Sequence, residues 1–538
     1  MKTIATTPFA GQKPGTSGLR KKTREFMQPR YLENFIQSTF DATDLAGKTL
    51  VVGGDGRYFN REAIQKILQL AAGNGVGKVL VAQDGILSTP AVSCVIRAHG
   101  AAGGLVLSAS HNPGGPDADF GVKYNASNGG PAPEDITERI YKKTLEISEY
   151  RMVEGSIPID TVGTYRLGDT EVVVIDPLED YTALMQSIFD FPKLKDFLKS
   201  GFQMRFDAMN GVTGPFAKRI FEDLLGAPAG SVIRATPLED FGGEHPDPNL
   251  TYAADLVKEL AGVNAPDFGA ACDGDGDRNL ILGRGCFVSP GDSLAIIAEM
   301  APSCIPAYKA GLAGIARSMP TSMAADRVAA KLGIGCYETP TGWKFFGSLL
   351  DAGKITVCGE ESFGTGSNHV REKDGLWAVL AWISILAHTK QSVSDVMKGH
   401  WERFGRSYYQ RHDYESIPSE AADAMMAKLR GQLGSLVGTP MAGSTIKVAD
   451  DFSYTDPVNG SVTKNQGTRL LFEDGSRAII RLSGTGTEGA TLRLYFEAYA
   501  KDDIAQDSAE RIRPLSDAIG ALLELKTRVG RDAPDVIT

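Results

Sequence analysis

No C-x-x-C pair occurs among the six cysteines (Cys94, Cys272, Cys286, Cys304, Cys336 and Cys358), which lie far apart in the 538 residues. Neither a zinc site nor a disulfide scaffold is indicated, and buried reduced thiols are expected. Positive charge is not in excess: 56 Lys and Arg stand against 66 Asp and Glu, a net −10. That argues against nucleic acid or an anionic membrane as the main partner, although local basic pockets stay possible. The longest apolar segment, Leu376 to Ala387, falls well short of the ~20 residues that cross a bilayer. The N-terminal Met-Lys-Thr-Ile-Ala-Thr-Thr-Pro-Phe has no apolar core long enough for a secretory signal. The Asn-x-Ser/Thr matches at Asn125, Asn249 and Asn459 therefore carry no weight. No Gly-Lys-Ser/Thr P-loop is present, so nucleoside triphosphate chemistry is not suggested. A cytoplasmic enzyme or binding protein remains.

The length is too great for one core and suggests roughly three or four domains. No low-complexity linker divides them, which tightly abutting domains around one cleft would explain. Glycine is plentiful, 61 residues, which favours many strand-to-loop junctions. Apolar runs ending in Gly and acidic or hydroxyl residues recur at Lys48–Asp55, Gly104–Ser110, Gln203–Gly211, Asp267–Asp277 and Lys354–Gly364. Helix-like segments lie at Asn60–Ala72, Asp292–Met300 and Asp374–His388. Strands alternating with helices imply parallel or mixed sheets with helical cover, and ligands collect where such strands end. After the polar stretch Tyr408–Glu415 come a helix-like Glu420–Leu433 and strand candidates Ala478–Leu482 and Thr491–Tyr499, an α+β pattern. The reading is three α/β domains, 1–185, 186–293 and 294–406, and an α+β domain, 407–538.

The chemistry gathers at the breaks. Ser108-Ala-Ser-His-Asn-Pro113 presents two serines and a histidine as a strand ends; such residues are turn chemistry or a nucleophile with its helpers. Cys272-Asp-Gly-Asp-Gly-Asp-Arg278 sets Asp273, Asp275 and Asp277 at alternate positions, which face one way in an extended chain. Three carboxylates so close repel without a partner, and a hard divalent ion, Mg²⁺ most naturally, suits them. A surface Asp/Gly turn is the alternative. An EF-hand is excluded, because its sixth and twelfth positions would be Arg278 and Arg284.

Arg481-Leu-Ser-Gly-Thr-Gly-Thr-Glu-Gly489 contains a literal G-x-G-x-x-G, but a strand pattern follows where a dinucleotide fingerprint needs a helix. Its hydroxyls, free N–H groups and Arg481 make either a phosphate cradle or a hairpin turn. Gly359-Glu-Glu-Ser-Phe-Gly364 offers carboxylates and a hydroxyl for sugar hydroxyls, or simply a solvated face. Gly15-Thr16-Ser17-Gly-Leu-Arg20 is a coil or another anion contact. A nucleophile, a metal, a second phosphate site and a sugar grip together describe a phosphosugar phosphotransferase.

The motifs GTSGLR, SASHNP, DGDGDR, TGWKFF, CGEESFGTG, REKDGLWAVL and RLSGTGTEGATLRLY, in this order, resemble the α-D-phosphohexomutase superfamily, and within it most closely the phosphoglucomutase branch. The resemblance covers nearly the whole chain. It implies four domains in a heart-shaped arrangement, three α/β and a last one of TATA-box-binding-protein-like fold, around a central cleft. It makes Ser110 the serine that carries the phosphoryl group, with His111 assisting, and Ser108 a structural hydroxyl. Asp273, Asp275 and Asp277 become the Mg²⁺ ligands, a phosphoryl oxygen on Ser110 being the fourth, with Arg278 on the substrate. Thr341 and Gly342 touch the sugar, and Glu360 and Ser362 read its hydroxyls. Arg481, Ser483, Gly484, Thr485 and Thr487 hold the phosphate that is not transferred; Thr16 and Ser17 are further substrate contacts. Arg20, Lys123 and Lys373 join His111 as candidates for proton transfer.

The implied reaction interconverts glucose 1-phosphate and glucose 6-phosphate through phosphoserine and glucose 1,6-bisphosphate, in a Mg²⁺-dependent cytoplasmic monomer whose partners are hexose phosphates. The rivals are a phosphomannomutase or dual-specificity mutase, a non-catalytic phosphoprotein of the same fold, and a phosphatase.

Overall fold

The computed structural model describes residues 1–15, 17–483 and 490–538, together with the backbone but not the side chain of Ser483. Four sheets organise it. The first runs, in spatial order, Leu19–Lys22, Asp119–Ala126, Gly103–Leu107, Thr49–Gly54, Lys78–Ile86, Thr170–Ile175 and Gly163–Leu167. Its centre is parallel and its edges antiparallel. The second is Val232–Ile233, Met204–Asp207, Phe268–Cys272, Asn279–Gly283 and Cys286–Val288; the third is Gly335–Thr339, Gly314–Ser318, Val357–Glu360 and Gly364–Ser367. Helices fill the connections, giving the α/β organisation expected.

One detail repeats across these three sheets and places the site. In each, the last parallel strand turns back as an antiparallel hairpin: Gly103–Leu107 with Asp119–Ala126, Phe268–Cys272 with Asn279–Gly283, and Val357–Glu360 with Gly364–Ser367. The hairpin loops are the SASHNP, DGDGDR and EESF segments. The second and third are joined directly, Asn279 N–H donating to the Phe363 carbonyl at 2.8 Å.

The fourth sheet is antiparallel throughout: Pro440–Met441, Ser444–Asp451, Thr468–Phe472, Arg477–Ser483, Ala490–Ala500, Arg406–Ile417 and Val536–Ile537. Strand alternation divides its residues. Ala478, Ile480, Leu494 and Phe496 pack under helices Ser419–Leu436 and Ser508–Leu523, while Ile479 and Tyr495 face the other way, onto Met319 of the third unit.

The first three units share one continuous apolar core, which runs from Val51 and Leu80 through Phe206 and Phe268 to Trp377 and Trp382. At its centre lies helix Gly375–Thr389, apolar on every face and buried from Gly375 to Ala387. The apolar segment noted in the sequence is thus a core helix, and no helix among the described residues is long and apolar enough to cross a membrane.

One expectation needs correction, and two further features are located. The polar stretch Tyr408–Glu415 is the body of strand Arg406–Ile417. Its charges are hidden because Asp413 pairs with Arg411 at 3.0 Å and lies 3.6 Å from Arg493, while Tyr408 and Tyr414 join the core. The Asp triad is not extended: it occupies a turn closed by Gly276 N–H on the Asp273 carbonyl, with Gly276 at φ +79, so the carboxylates converge by bending and not by strand alternation. The junctions placed near 186 and 294 fall inside helices Glu179–Ile188 and Pro290–Cys304; the nearest breaks in regular structure are at 189–190 and Ser289.

Candidate active site

Ser110 sits three residues beyond the end of the buried strand Gly103–Leu107, in a backbone conformation that L-residues avoid, φ +54. Three neighbours hold it there. The Ser110 N–H donates to Ser108 Oγ at 2.7 Å, and Ser108 Oγ donates to Asp55 Oδ2 at 2.7 Å. Arg57 Nε grips both Asp55 oxygens at 3.0 and 2.9 Å, and its terminal nitrogens donate to the carbonyls of Ser110 and Asp119, each at 2.8 Å. Asp55 and Arg57 are buried, 0% and 1% exposed, so this clamp is neither screened nor solvated. Ser108 is the structural hydroxyl expected.

The clamp aims the Ser110 hydroxyl at the second unit. Its Oγ donates to Asp273 Oδ2 at 2.9 Å, and His111 Nδ1 lies 3.3 Å from Ser110 Oγ. Asp273, Asp275 and Asp277 each bring a carboxylate oxygen within 4.8 Å of the others, all buried. Thr89, opening helix Thr89–Ala98 of the first unit, donates to Asp275 Oδ2 at 2.6 Å. Burial first, then repulsion by Asp275 and Asp277, pushes the Asp273 carboxyl well above the ordinary range. One oxygen each of Asp275 and Asp277 is buried without a hydrogen-bond partner among the described residues. Three converging carboxylates with two oxygens left over fit a small, hard divalent cation.

Cations rim the triad. Lys373 Nζ is 3.2 Å from Asp277; burial, the largest single effect, opposes its charge, but Asp277, Glu360 and Asp273 together outweigh that and hold its pKa above the ordinary lysine value. Burial likewise opposes the charge on Arg278, yet Asp247, Asp273 and Asp277 together raise its pKa. The Arg20 pKa is lowered, first by burial, although Asp275 and Asp277 attract its charge. Its Nε has no hydrogen-bond partner among the described residues. Burial, reinforced by Arg278 and Arg20, holds the His111 ring well below the usual histidine range, so at neutral pH it is uncharged.

A second cluster joins the third and fourth units. Arg481 donates to Thr341 Oγ1 at 2.7 Å, and Gly342 N–H donates to Glu360 Oε1 at 2.9 Å. Burial raises the Glu360 carboxyl pKa, against the pull of Lys373. Ser362 is half-buried on the adjacent turn, and Ser17 is exposed at the Gly15–Gly18 bridge. Thr16, Gly484, Thr485, Thr487 and the side chain of Ser483 lie outside the described residues. Lys123 is occupied elsewhere, its Nζ 2.6 Å from Glu372.

Four whole-unit models match, described as phosphoglucomutase/phosphomannomutase alpha/beta/alpha domains I, II and III, at residues 11–151, 179–285 and 290–404, and the phosphoglucomutase-1 C-terminal domain, at 406–535. The chain belongs to the phosphoglucomutase/phosphomannomutase family. Within that family it is 58% identical to a phosphoglucomutase of Rhizobium radiobacter over the whole of both chains, and 52% identical to phosphoglucomutase 1 of Drosophila melanogaster over 99% of each. Among solved structures it is similar to parafusin of Paramecium, an exocytosis-sensitive phosphoprotein and phosphoglucomutase in its open form, with 50% identity, a TM-score of 0.94, and 100% and 99% of the two chains covered. A Thermus thermophilus putative phosphomannomutase, 24% identical, with a TM-score of 0.73 and 97% and 100% of the two chains covered, shares the fold.

Several members of this phosphoglucomutase/phosphomannomutase site escape motif reading. Asp55 and Arg57 lie in G-G-D-G-R, a strand-end signal whose partner loop is 53 residues away. His245 stacks on Tyr252 with ring centroids 4.2 Å apart and lies 6.1 Å from the His111 ring. Its neighbour Asp247 is 3.6 Å from Arg278. The signal there is a run of prolines and acids, H-P-D-P-N, easily taken for an ordinary loop.

Proposed function

We propose that the chain works as a phosphoglucomutase, interconverting glucose 1-phosphate and glucose 6-phosphate. The observation that carries this reading is the Ser110 hydroxyl, held in a strained conformation 2.9 Å from Asp273 beside three carboxylates and under the sugar-directed Glu360 loop. Ser110, once phosphorylated, gives its phosphoryl group to O6 of glucose 1-phosphate. The resulting glucose 1,6-bisphosphate turns around and returns its C1 phosphate to Ser110, and glucose 6-phosphate leaves.

Asp273, Asp275 and Asp277 beside Ser110 are the residues that would hold Mg²⁺, which when bound neutralises charge on the transferring group. Arg278 and Lys373, both held charged, face the same charge from the protein side. His111, Arg20 and Lys373 are the groups available for proton transfer at the attacking and leaving oxygens; Lys123, the fourth candidate, is held by Glu372. Thr341, Gly342, Glu360 and Ser362 orient the sugar; Arg481, with Ser483, Gly484, Thr485 and Thr487, holds the distal phosphate, and Thr16 and Ser17 add contacts. The four working units divide near residues 178, 289 and 405, each supplying one hairpin loop.

Closure would protect the phosphoserine from water. Among the described residues, the hydrogen bonds and ion pairs that tie the fourth unit to the rest, those of Arg477, Arg469, Arg481, Tyr409 and Glu497 among them, reach only the third, so a movement of the fourth unit breaks no such tie to the first or second.

The test compares isomer formation with phosphate release from glucose 1-phosphate and other hexose phosphates, with and without Mg²⁺. Glucose 6-phosphate should form only with Mg²⁺, and Ser110→Ala should abolish turnover with the fold intact. Phosphate release as the main product, or substantial mutase activity in Ser110→Ala, would defeat this reading. We place the protein, as a monomer of 57.5 kDa, in the cytoplasm. A potato relative is described as cytoplasmic, whereas an Arabidopsis relative is chloroplastic; light scattering and cell fractionation check both points.

A further inference from the structure

Four consecutive residues of alternating charge, Arg371 to Asp374, precede the central helix, and each is tied to a different element. Arg371 N–H donates to Ser93 Oγ at 3.0 Å, and its Nε donates to Asp351 at 2.6 Å. Glu372 Oε1 accepts from Lys123 Nζ at 2.6 Å and Asn125 Nδ2 at 2.9 Å. Lys373 turns the other way, toward Asp277 of the second unit. Asp374 caps the helix through Trp377 N–H at 3.1 Å and accepts from Tyr181 Oη at 2.7 Å.

We infer that Glu372 and Lys123 form an anchoring pair between the first and third units, seating this loop so that Lys373, and not Lys123, is the lysine presented to the reacting phosphoryl group. The inference rests on the mutase reading for its catalytic consequence.

Lys123 and Asn125 stand two apart on strand Asp119–Ala126, so their side chains leave the same face, and both converge on one carboxylate oxygen. Glu372 is 1% exposed. A carboxylate buried this deeply requires its partner, because an unpaired buried charge is strongly unfavourable. Lys123 therefore cannot leave Glu372 to serve a substrate oxygen without exposing that cost. The strand that positions Lys123 is also the return strand of the Ser110 hairpin. One contact thus couples the nucleophile's hairpin to the loop carrying Lys373. Lys123 and Glu372 act as positioning residues.

The test uses the full chain with Lys123→Met, Lys123→Arg, Glu372→Gln and the double variant Lys123→Met/Glu372→Gln. Displacement of Lys373 by about 1 Å should lower kcat by about 10²-fold in each non-conservative single variant, with KM for glucose 1-phosphate little changed. The double variant should be no slower than the worse single one, and Lys123→Arg should recover most of the loss. Amides of residues 369–375 should lose hydrogen-exchange protection in Lys123→Met and Glu372→Gln but keep it in Lys123→Arg. The inference is overturned if Lys123→Arg is as inactive as Lys123→Met while Glu372→Gln turns over normally, the pattern of a proton-transferring lysine. Unchanged exchange at 369–375 in Lys123→Met and Glu372→Gln overturns it equally. Should Lys123→Met not fold, the Arg and Gln variants suffice. The exchange readout needs no substrate, so a wild-type chain that failed to isomerise glucose 1-phosphate would refute the mutase reading and leave the anchor to be decided by exchange.

Discussion

Replacing Ser108 with Ala removes one hydroxyl and leaves the nucleophile itself untouched. Its Oγ is the only side-chain partner of the Ser110 N–H among the described residues, and it also donates to the buried Asp55 carboxylate. A buried N–H left unsatisfied costs about 1–3 kcal/mol, and a hydrogen bond to a charged acceptor is worth about 1.5–3 kcal/mol. Against these stands the strain of the left-handed Ser110, about 1–2 kcal/mol for a residue with a Cβ, which favours relaxation once the clamp loosens. Loss of about 1.5–3 kcal/mol of preference for the productive conformer lowers its population by about 10- to 10²-fold. We expect kcat for glucose 1-phosphate to fall by that factor with KM little altered, because the sugar and distal-phosphate loops lie on other units. Ser108→Thr keeps the hydroxyl and should retain most of the activity. Steady-state kinetics of both variants decide it: wild-type kcat in Ser108→Ala, or a loss in Ser108→Thr as deep as in Ser108→Ala, would refute the clamp.

Other contacts make equally direct predictions. His412, packed edge-on against Phe496, has its pKa lowered to about 4 by burial. The unfolded chain takes up a proton below about 6.5 while the folded one does not. This contribution is therefore complete above about pH 6.5 and falls away toward pH 4, with about 2 kcal/mol lost by pH 5. His412→Phe should flatten that slope in urea unfolding followed at pH 7 and pH 5, and an unchanged slope would refute it. Arg477→Met takes from Glu497, 1% exposed, its nearest cation, 2.7 Å away, leaving Arg327 at 3.5 Å, and frees the carbonyls of Met319 and Thr321. A loss of about 3 kcal/mol is expected, read as a lower denaturant midpoint for the fourth unit; an unmoved midpoint would count against the pair.

Much of the site is legible in the sequence because its parts are local. A strand that ends in small and polar residues must turn, and whatever the turn carries is delivered to the sheet's edge. The loops at Ser110, Asp273 and Glu360 could therefore be located from periodicity and punctuation alone. The strand Arg406–Ile417 could not, because its charged residues read as a surface until their partners on neighbouring strands are known. The extended geometry expected for the Asp triad failed for a related reason: Gly276 permits a turn that spacing alone does not distinguish from a strand.

The amino-acid sequence by itself determined the candidate site residues, the four-unit order and the family. The tertiary structure decided which groups are free to act. Asp55 reaches Ser108 and Arg57 reaches Ser110, each across 53 residues, and Glu372 meets Lys123 across 249. Burial makes these contacts obligatory, since a charge removed from water must find its partner wherever the fold has carried it. Spacing along the chain can present a lysine, but only the carboxylate facing it fixes whether that lysine moves a proton or holds a loop.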